Sequence, residues 1–218
     1  MKQLNPESDH YDYRELALSV IKEDPQALVH ISPEMNDYAD LVESSIHDTP
    51  LNQPSVIRFV KQENQPNYKK LAQLALQKDA NALQYISAAS EHYPTLANEL
   101  LKNQPQQVYD LKPDSKQFIE NVITAIKNTE TNKIVDTYKN LDPITKKDTG
   151  VIKEALLKSS EMSPLITQAK WDEIKKDSYY MKALVIKDGQ FLKYANDEMK
   201  NDHRLIMLSL ENQKLEHR

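Results

Sequence analysis

A degenerate repeat of about 25 residues constrains this chain more than any other feature. It is clearest in YRELALSVIKEDPQALVHIS (13–32) and YKKLAQLALQKDANALQYIS (68–87). Both stretches run through the same series: Tyr, Leu-Ala in the fourth and fifth places, a second apolar pair, an Asp, an Ala-Leu pair, then Ile-Ser. Self-similarity at a fixed period of about 20–50 residues marks stacked arrays, in which one unit alone cannot bury its apolar face. Such arrays mostly bind other proteins.

The phase can be followed along the chain. Tyr13 and Tyr38 are 25 residues apart, as are Tyr68 and Tyr93, and Phe118 follows after another 25. Ser178 and His203 open a last pair at the same interval, and the long gap from Phe118 leaves room for a poorly matching unit starting near Thr149. Apolar residues track this phase: Leu16, Ala17, Val20 and Ile21; Leu41, Val42 and Ile46; Leu71, Ala72, Ala75 and Leu76; Leu96, Ala97, Leu100 and Leu101. Later units carry Val122, Ala125 and Ile126, then Met181, Val185 and Ile186, then Ile206, Met207 and Leu210. A spacing of i, i+1, i+4, i+5 closes into one stripe at about 100° per residue, which is a helix and not a strand.

A second apolar group follows in several units: Ala27, Leu28 and Ile31; Ala82, Leu83 and Ile86; Phe191, Leu192 and Ala195. Each full unit therefore reads as a helix of roughly ten to twelve residues, a tight turn and a shorter helix, too short to be stable unless stacked. Ser32-Pro33 and Ser163-Pro164 resemble an N-cap followed by proline at the first helical position. The expected architecture is an all-α, solenoid-like array of stacked short helix-turn-helix repeats. It forms one domain over 1–218, with sub-arrays at 12–136 and 177–213 and an irregular helical junction at 137–176.

Composition suits a narrow core. Hydrophobic residues make up 39%, against the usual ~45–50%, and mean hydropathy is −0.71. The net charge of −5 has its lysines and arginines spread along the chain, which argues against a phosphate-binding basic face and so against nucleic acid. Folding could still gather Lys146, Lys147, Lys175 and Lys176. No apolar run approaches the ~20 residues of a membrane span, and MKQLNPESDHYDY lacks the apolar core of a signal peptide. The expectation is a soluble protein made for the cytoplasm.

Several chemistries are excluded by residue type. There is no cysteine, hence no disulfide, thiolate or Cys-based zinc site. The two glycines, Gly150 and Gly189, stand too far apart for a phosphate-cradling loop or a strained nucleophile turn. Gly189 is expected to end a helix as a C-cap. No cofactor is expected. None of the six histidines has a recognised ligand spacing, so no metal is expected either. His30 shares the phase of Tyr85 and reads as a packing residue. The Asp9-His10-Asp12 cluster could hold a metal or act as an oriented base, but a solvated terminal arm accounts for it better. Asp24, Asp79 and Asp188 recur at one phase, where Asp bonding its own local backbone explains them better than a ladder of ligands.

Tyr13, Tyr38, Tyr68 and Tyr93 share a phase and read as packing residues between helices. Trp171, Tyr179 and Tyr180 lie off the strong repeat. A Trp-Tyr cluster of this kind is typical of protein-binding surfaces, although an ordinary local core would look the same. These three are the candidate partner-binding residues, and that role requires Trp171 and one of the tyrosines to be exposed.

The stretch DSYYMKALVIKDGQFLKYANDEMKNDHRLIMLSLENQ (177–213) resembles an uncharacterised α-helical repeat family, a domain of unknown function. Its units pair a helix like xxxLxAVKxDGxALxYAS with a segment like xELKxDRxIVLxAV. Lys187-Asp188-Gly189, Leu192-Lys193-Tyr194-Ala195 and Glu198-Met199-Lys200-Asn201-Asp202 carry the match, and 13–32 and 68–87 look like divergent copies. Those two copies depart from the pattern with Pro25 and Ala80 in place of the glycine, and 137–177 fits poorly. The family occurs in intracellular bacteria with type IV secretion and in protists, so the resemblance implies a secreted effector; the polar tail LENQKLEHR agrees with that. It brings no catalytic residues.

The function expected is non-enzymatic binding of a protein partner through one face of the array. The alternatives are a small enzyme with an acid/base site of carboxylates and His in a groove, and a self-associating structural or regulatory subunit exposing an apolar patch. The oligomeric state and the identity of the partner stay open at this stage.

Overall fold

The computed structural model describes residues 10–60 and 66–216. Among the described residues every regular element is helical and no strand occurs. Eleven α-helices run in order among the described residues. They are α1 (His10–Glu23), α2 (Tyr38–Asp48), α3 (Tyr68–Lys78), α4 (Tyr93–Asn103), α5 (Phe118–Asn128), α6 (Ile134–Asn140), α7 (Thr149–Lys158), α8 (Gln168–Ile174), α9 (Ser178–Lys187), α10 (Asp197–Lys200) and α11 (His203–Glu216). The repeat-phase residues Tyr38, Tyr68, Tyr93, Phe118, Thr149, Ser178 and His203 each open a helix. The chain packs as two compact units, residues 1–118 and 119–218.

In five units the second half is a six-residue 3-10 helix, whereas after α5 it is the short α-helix α6. Pro25–His30, Ala80–Tyr85, Pro105–Asp110, Ser160–Leu165 and Gly189–Tyr194 are each six residues long. Runs beyond 3–4 residues are uncommon for this geometry, and two local causes sustain them. Apolar residues fall at a spacing of three, as in Pro25, Leu28, Ile31 and Ala80, Leu83, Ile86, all buried. With three residues per turn these form one straight line, which an α-helix would skew. The recurring Asp also caps the start: Asp24, Asp79 and Asp188 accept backbone N–H bonds from Gln26, Asn81 and Gln190 at 3.0, 2.9 and 2.9 Å. Asp at this phase does turn chemistry. Gly189 is the first residue of its 3-10 helix with Asp188 as the cap, and no glycine has a positive φ, so the expected C-cap role is corrected. Pro164 likewise lies inside a 3-10 helix rather than at an α-helix start.

Each of these five 3-10 helices ends on a buried, extended apolar residue: Ile31, Ile86, Leu111, Ile166 or Ala195. A polar residue follows and reopens the chain into the next helix. Ser32 accepts from the Glu34 N–H, Ser87 from Ala89, and Asn196 from Met199.

Successive long helices lie side by side with their carboxyl ends together. Lys78 at the end of α3 donates Nζ to the Ile46 carbonyl at 2.6 Å and to that of His47, both in the last turn of α2. Lys158 of α7 donates to the Lys127 carbonyl of α5 at 2.7 Å. Lys187 of α9 donates to the Leu157 carbonyl of α7. Parallel helices align their dipoles unfavourably, and a cation placed on the orphan carbonyls of the neighbour offsets that repulsion.

The apolar stripe is buried as its spacing predicts in the interior helices; Leu71 is 1% exposed. Tyr38, Tyr68 and Tyr93 are buried as packing residues, and Tyr93 Oη accepts the Lys112 N–H at 2.9 Å. Burial raises the pKa of Tyr38 and Tyr93. The end helices depart from the expectation. In α1, Ala17 and Ile21 are buried but Leu16 and Val20 are 48% and 42% exposed. In α11, Leu205 and Ser209 are buried while Met207 and Leu210 are exposed, and Ile186 of α9 is exposed too. His30 is exposed rather than packed.

The stretch 137–176 is helical and keeps the repeat's logic. α7 opens at Thr149 and buries Val151, Ile152, Ala155 and Leu156, a stripe shifted by one position. The extra residues of the long intervals go into the short helices α6 and α8.

Candidate functional site

The aromatic cluster read from the sequence is divided by the fold. Trp171 lies in α8 on its inner side and is 2% exposed. Its ring stacks on Tyr194 at 3.9 Å between centroids and 4° between planes, and Phe191 is 6.1 Å away. Trp171 Nε1 is buried without a hydrogen-bond partner. The exposure its binding role required is therefore absent: this tryptophan is core, because the following 3-10 helix lays its aromatic residues against it. Tyr180 is half-buried; its hydroxyl donates to the Lys153 carbonyl at 2.5 Å, and Lys153 Nζ sits 4.9 Å above its ring. Tyr179, at the start of α9, is 89% exposed and is the one member of the set that faces solvent.

A lattice of ion pairs ties the surrounding backbone. Lys153 pairs with Asp177 at 2.6 Å, Lys170 with Glu173 at 2.7 Å and Lys175 with Asp172 at 2.6 Å. Thr149 Oγ1 donates to Glu173 at 2.6 Å. Hydrogen bonds from Lys175, Lys170 and Lys153 hold the carboxyls of Asp172, Glu173 and Asp177 below the usual carboxylate range. These carboxylates stay ionised at neutral pH, so none of the three is a general acid. Of the four lysines whose clustering would have made a basic patch, Lys175 is paired with Asp172 and Lys146 donates to the Lys139 carbonyl at 3.0 Å. The Asp9-His10-Asp12 cluster lies outside the residues whose side chains are described. Among the described residues no group of three or more His, Asp or Glu is placed to hold a metal ion.

A groove lies elsewhere, between α3 and α4, with a volume of about 210 Å³. Leu76, Leu96 and Leu100 form its floor. Gln73 and Gln77 from α3, Glu99 and Asn103 from α4 and Gln104 just after it form its rim. Gln73 Nε2 donates to Glu99 Oε2 at 2.8 Å, which closes one end of the rim with a helix-to-helix bond. Both helices also carry small buried residues on their stripes, Ala72 and Ala75 on α3 and Ala97 on α4. No protein-family model matches this chain, and no curated protein or solved structure is significantly similar to it.

The floor leucines belong to the stripe read from the sequence, but the rim residues were not singled out there. A signal was present in Gln73 and Gln77, four apart on α3, and in Glu99 and Asn103, four apart on α4. Residues four apart share a helix face, but which helices face each other is not a local property of sequence. No helix among the described residues is long and apolar enough to cross a membrane.

Proposed function

We propose that this chain is a non-enzymatic helical-repeat protein that binds a polypeptide segment in the furrow between α3 and α4. One observation carries the reading: an apolar floor of leucines is rimmed by four side-chain amides and one carboxylate. Amides donate and accept at once, so they suit a partner's main chain and uncharged polar side chains better than a phosphate or a carboxylate. A protein is thus favoured over a nucleic acid as partner. Tyr179 offers a second, separate contact in the other unit, a large amphipathic ring presented at low entropy cost.

The test is selection from a displayed random-peptide library against the purified chain. Bound peptides are expected to compete with one another for one site. Gln77→Arg and Asn103→Trp, which fill the furrow from either wall without touching the floor, are expected to abolish their binding. Peptides that bind these variants as well as the wild type would refute the furrow as the site. The family resemblance extends the proposal to a partner met inside a host cell after type IV export. A translocation reporter fused to the chain tests this separately: signal in host cells that depends on the secretion system is expected, and retention in the bacterium would refute export.

A further inference from the structure

Ion pairs tie neighbouring long helices elsewhere in the chain: Glu43 of α2 to Lys70 of α3 at 3.1 Å, and Glu154 of α7 to Lys127 of α5 at 3.8 Å. Glu43 and Lys70 hold the sixth position of one helix and the third of the next, counted from Tyr38 and Tyr68. Between α3 and α4 the same two positions are Gln73 and Thr95, and neither carries charge. The acid of this helix pair is Glu99 instead, and its carboxylate accepts from Gln73 Nε2 at 2.8 Å. Among the described residues no lysine or arginine, Lys102 of the same helix included, pairs with it. Lys70 and Lys78 of α3 are both engaged with α2. The rest of the rim, Gln73, Gln77, Asn103 and Gln104, is neutral amide. The furrow thus carries one charge, a carboxylate exposed at its mouth for which the chain supplies no base.

We infer, on the reading that a polypeptide segment lies in this furrow, that the segment presents an arginine to Glu99. A carboxylate bonded to one amide keeps most of its acceptor sites open. A guanidinium spreads its N–H donors over a rigid plane, so it can bond Glu99 and neighbouring amide oxygens of the rim at once. A lysine ammonium gathers its donors at one strongly hydrated point and gains less from acceptors that are spread out. The rim amides suit both parts of such a segment, turning oxygen to the cation and NH2 to the flanking main-chain carbonyls. The aliphatic stem of an arginine lies along the furrow over Leu76 and Leu100 while its head stays at the rim. An acidic or phosphorylated side chain at the same place meets a like charge and is rejected. The net charge of −5 favours approach of a basic segment in the same sense.

The probe is the peptide recovered most often in the library selection above, made with its arginine and again with citrulline in that place. Citrulline keeps the stem and the planar head and loses the charge. Fluorescence anisotropy reads binding of both peptides to the full wild-type chain and to Glu99→Gln, which keeps the shape of Glu99 and can still accept from Gln73. Citrulline is expected to weaken binding to the wild type about tenfold, the scale of one lost hydrogen bond to a charged group. Glu99→Gln is expected to weaken the arginine peptide by about the same factor and to leave the citrulline peptide unchanged, because both changes remove one interaction. Circular dichroism checks that the variant is folded, and the citrulline comparison on the wild type needs no variant. Recovered peptides that lack an arginine overturn the inference. So does a Glu99→Gln variant that weakens both peptides alike, since Glu99 would then act on the shape of the furrow. Peptides blocked by Gln77→Arg and Asn103→Trp but indifferent to citrulline and to Glu99→Gln overturn the arginine and leave the furrow standing. Peptides that bind the filled furrow overturn both.

Discussion

Leu16 and Leu71 occupy the same place in their repeats, and replacing each by Ala should give unequal results. Leu→Ala removes about three carbons, and at ~0.8 kcal/mol per buried methylene the transfer loss is ~2.4 kcal/mol for a fully buried side chain. Leu71 is 1% exposed, between neighbours on both sides. The space it leaves cannot fully collapse, and a cavity term brings the expected loss to about 3–4 kcal/mol, inside the range for core leucines. Leu16 is 48% exposed. Roughly half the transfer loss applies and no closed cavity forms, so about 1 kcal/mol is expected. Lys70→Ala is the control beside Leu71: it removes an exposed pair with Glu43 at 3.1 Å, worth about 0–1 kcal/mol. Urea unfolding followed by circular dichroism reads the differences. The midpoints are comparable only if the slopes agree. Equal losses at Leu16 and Leu71 would refute the claim that α1 keeps half its stripe open. Equal losses at Leu71 and Lys70 would refute the register itself.

Trp171 is the single tryptophan, so native fluorescence should resist iodide quenching and become quenchable in urea; quenching of the folded monomer would contradict its stacking on Tyr194. Burial raises the pKa of the Tyr180 hydroxyl. Its stabilising contribution is therefore complete below about pH 10, where the unfolded phenol is still protonated, and is lost as pH rises further. Tyr180→Phe should cost about 1 kcal/mol near neutrality through the lost bond to Lys153, yet lose less than wild type as the pH rises above about 10; parallel declines would count against it. Asp79→Ala should cost about 1 kcal/mol in a thermal melt by uncapping its 3-10 helix, and Asp79→Asn less. Gln117 has a φ of 57° just before α5, a left-handed conformation that strains side-chain-bearing residues by about 1–2 kcal/mol. Gln117→Gly should therefore raise the melting temperature, and no change or a fall would mean that the strain is relieved locally.

The long helices were legible because period and phase are local. A tyrosine or its stand-in marks the start, and i, i+1, i+4, i+5 marks the buried face. The 3-10 character of the returns was also written in the sequence, in the spacing of three that links Leu28 to Ile31 and Leu83 to Ile86. It was read there as a shorter helix of unspecified kind. Three things were not legible. Leu16 and Val20 hold the repeat positions of Leu71 and Ala75, and phase alone does not report that the first pair is exposed and the second buried. Trp171 stands off the repeat, where sequence alone does not separate a contact residue from local core, and α8 turns it inward onto the aromatic residues of the next return. The furrow depends on which faces of α3 and α4 meet, and short-range spacing does not report that.

The lysines that reach across to the preceding helix give these stacks a direction. The last carbonyls of α2 are satisfied by α3, those of α5 by α7, and those of α7 by α9, in each case by a residue about 30 positions later in the chain. Each of α2, α5 and α7 closes an earlier carbonyl itself, through the N–H groups of Thr49, Thr129 and Ser159 on Ser45, Ala125 and Ala155, and the lysine takes a carbonyl nearer the end. Loss of a later helix uncaps the one before it, while loss of an earlier helix removes none of the later caps. Disruption entering from the carboxyl side should therefore spread backward by fraying helix ends in succession. The same disruption entering from the amino side should stop after one helix.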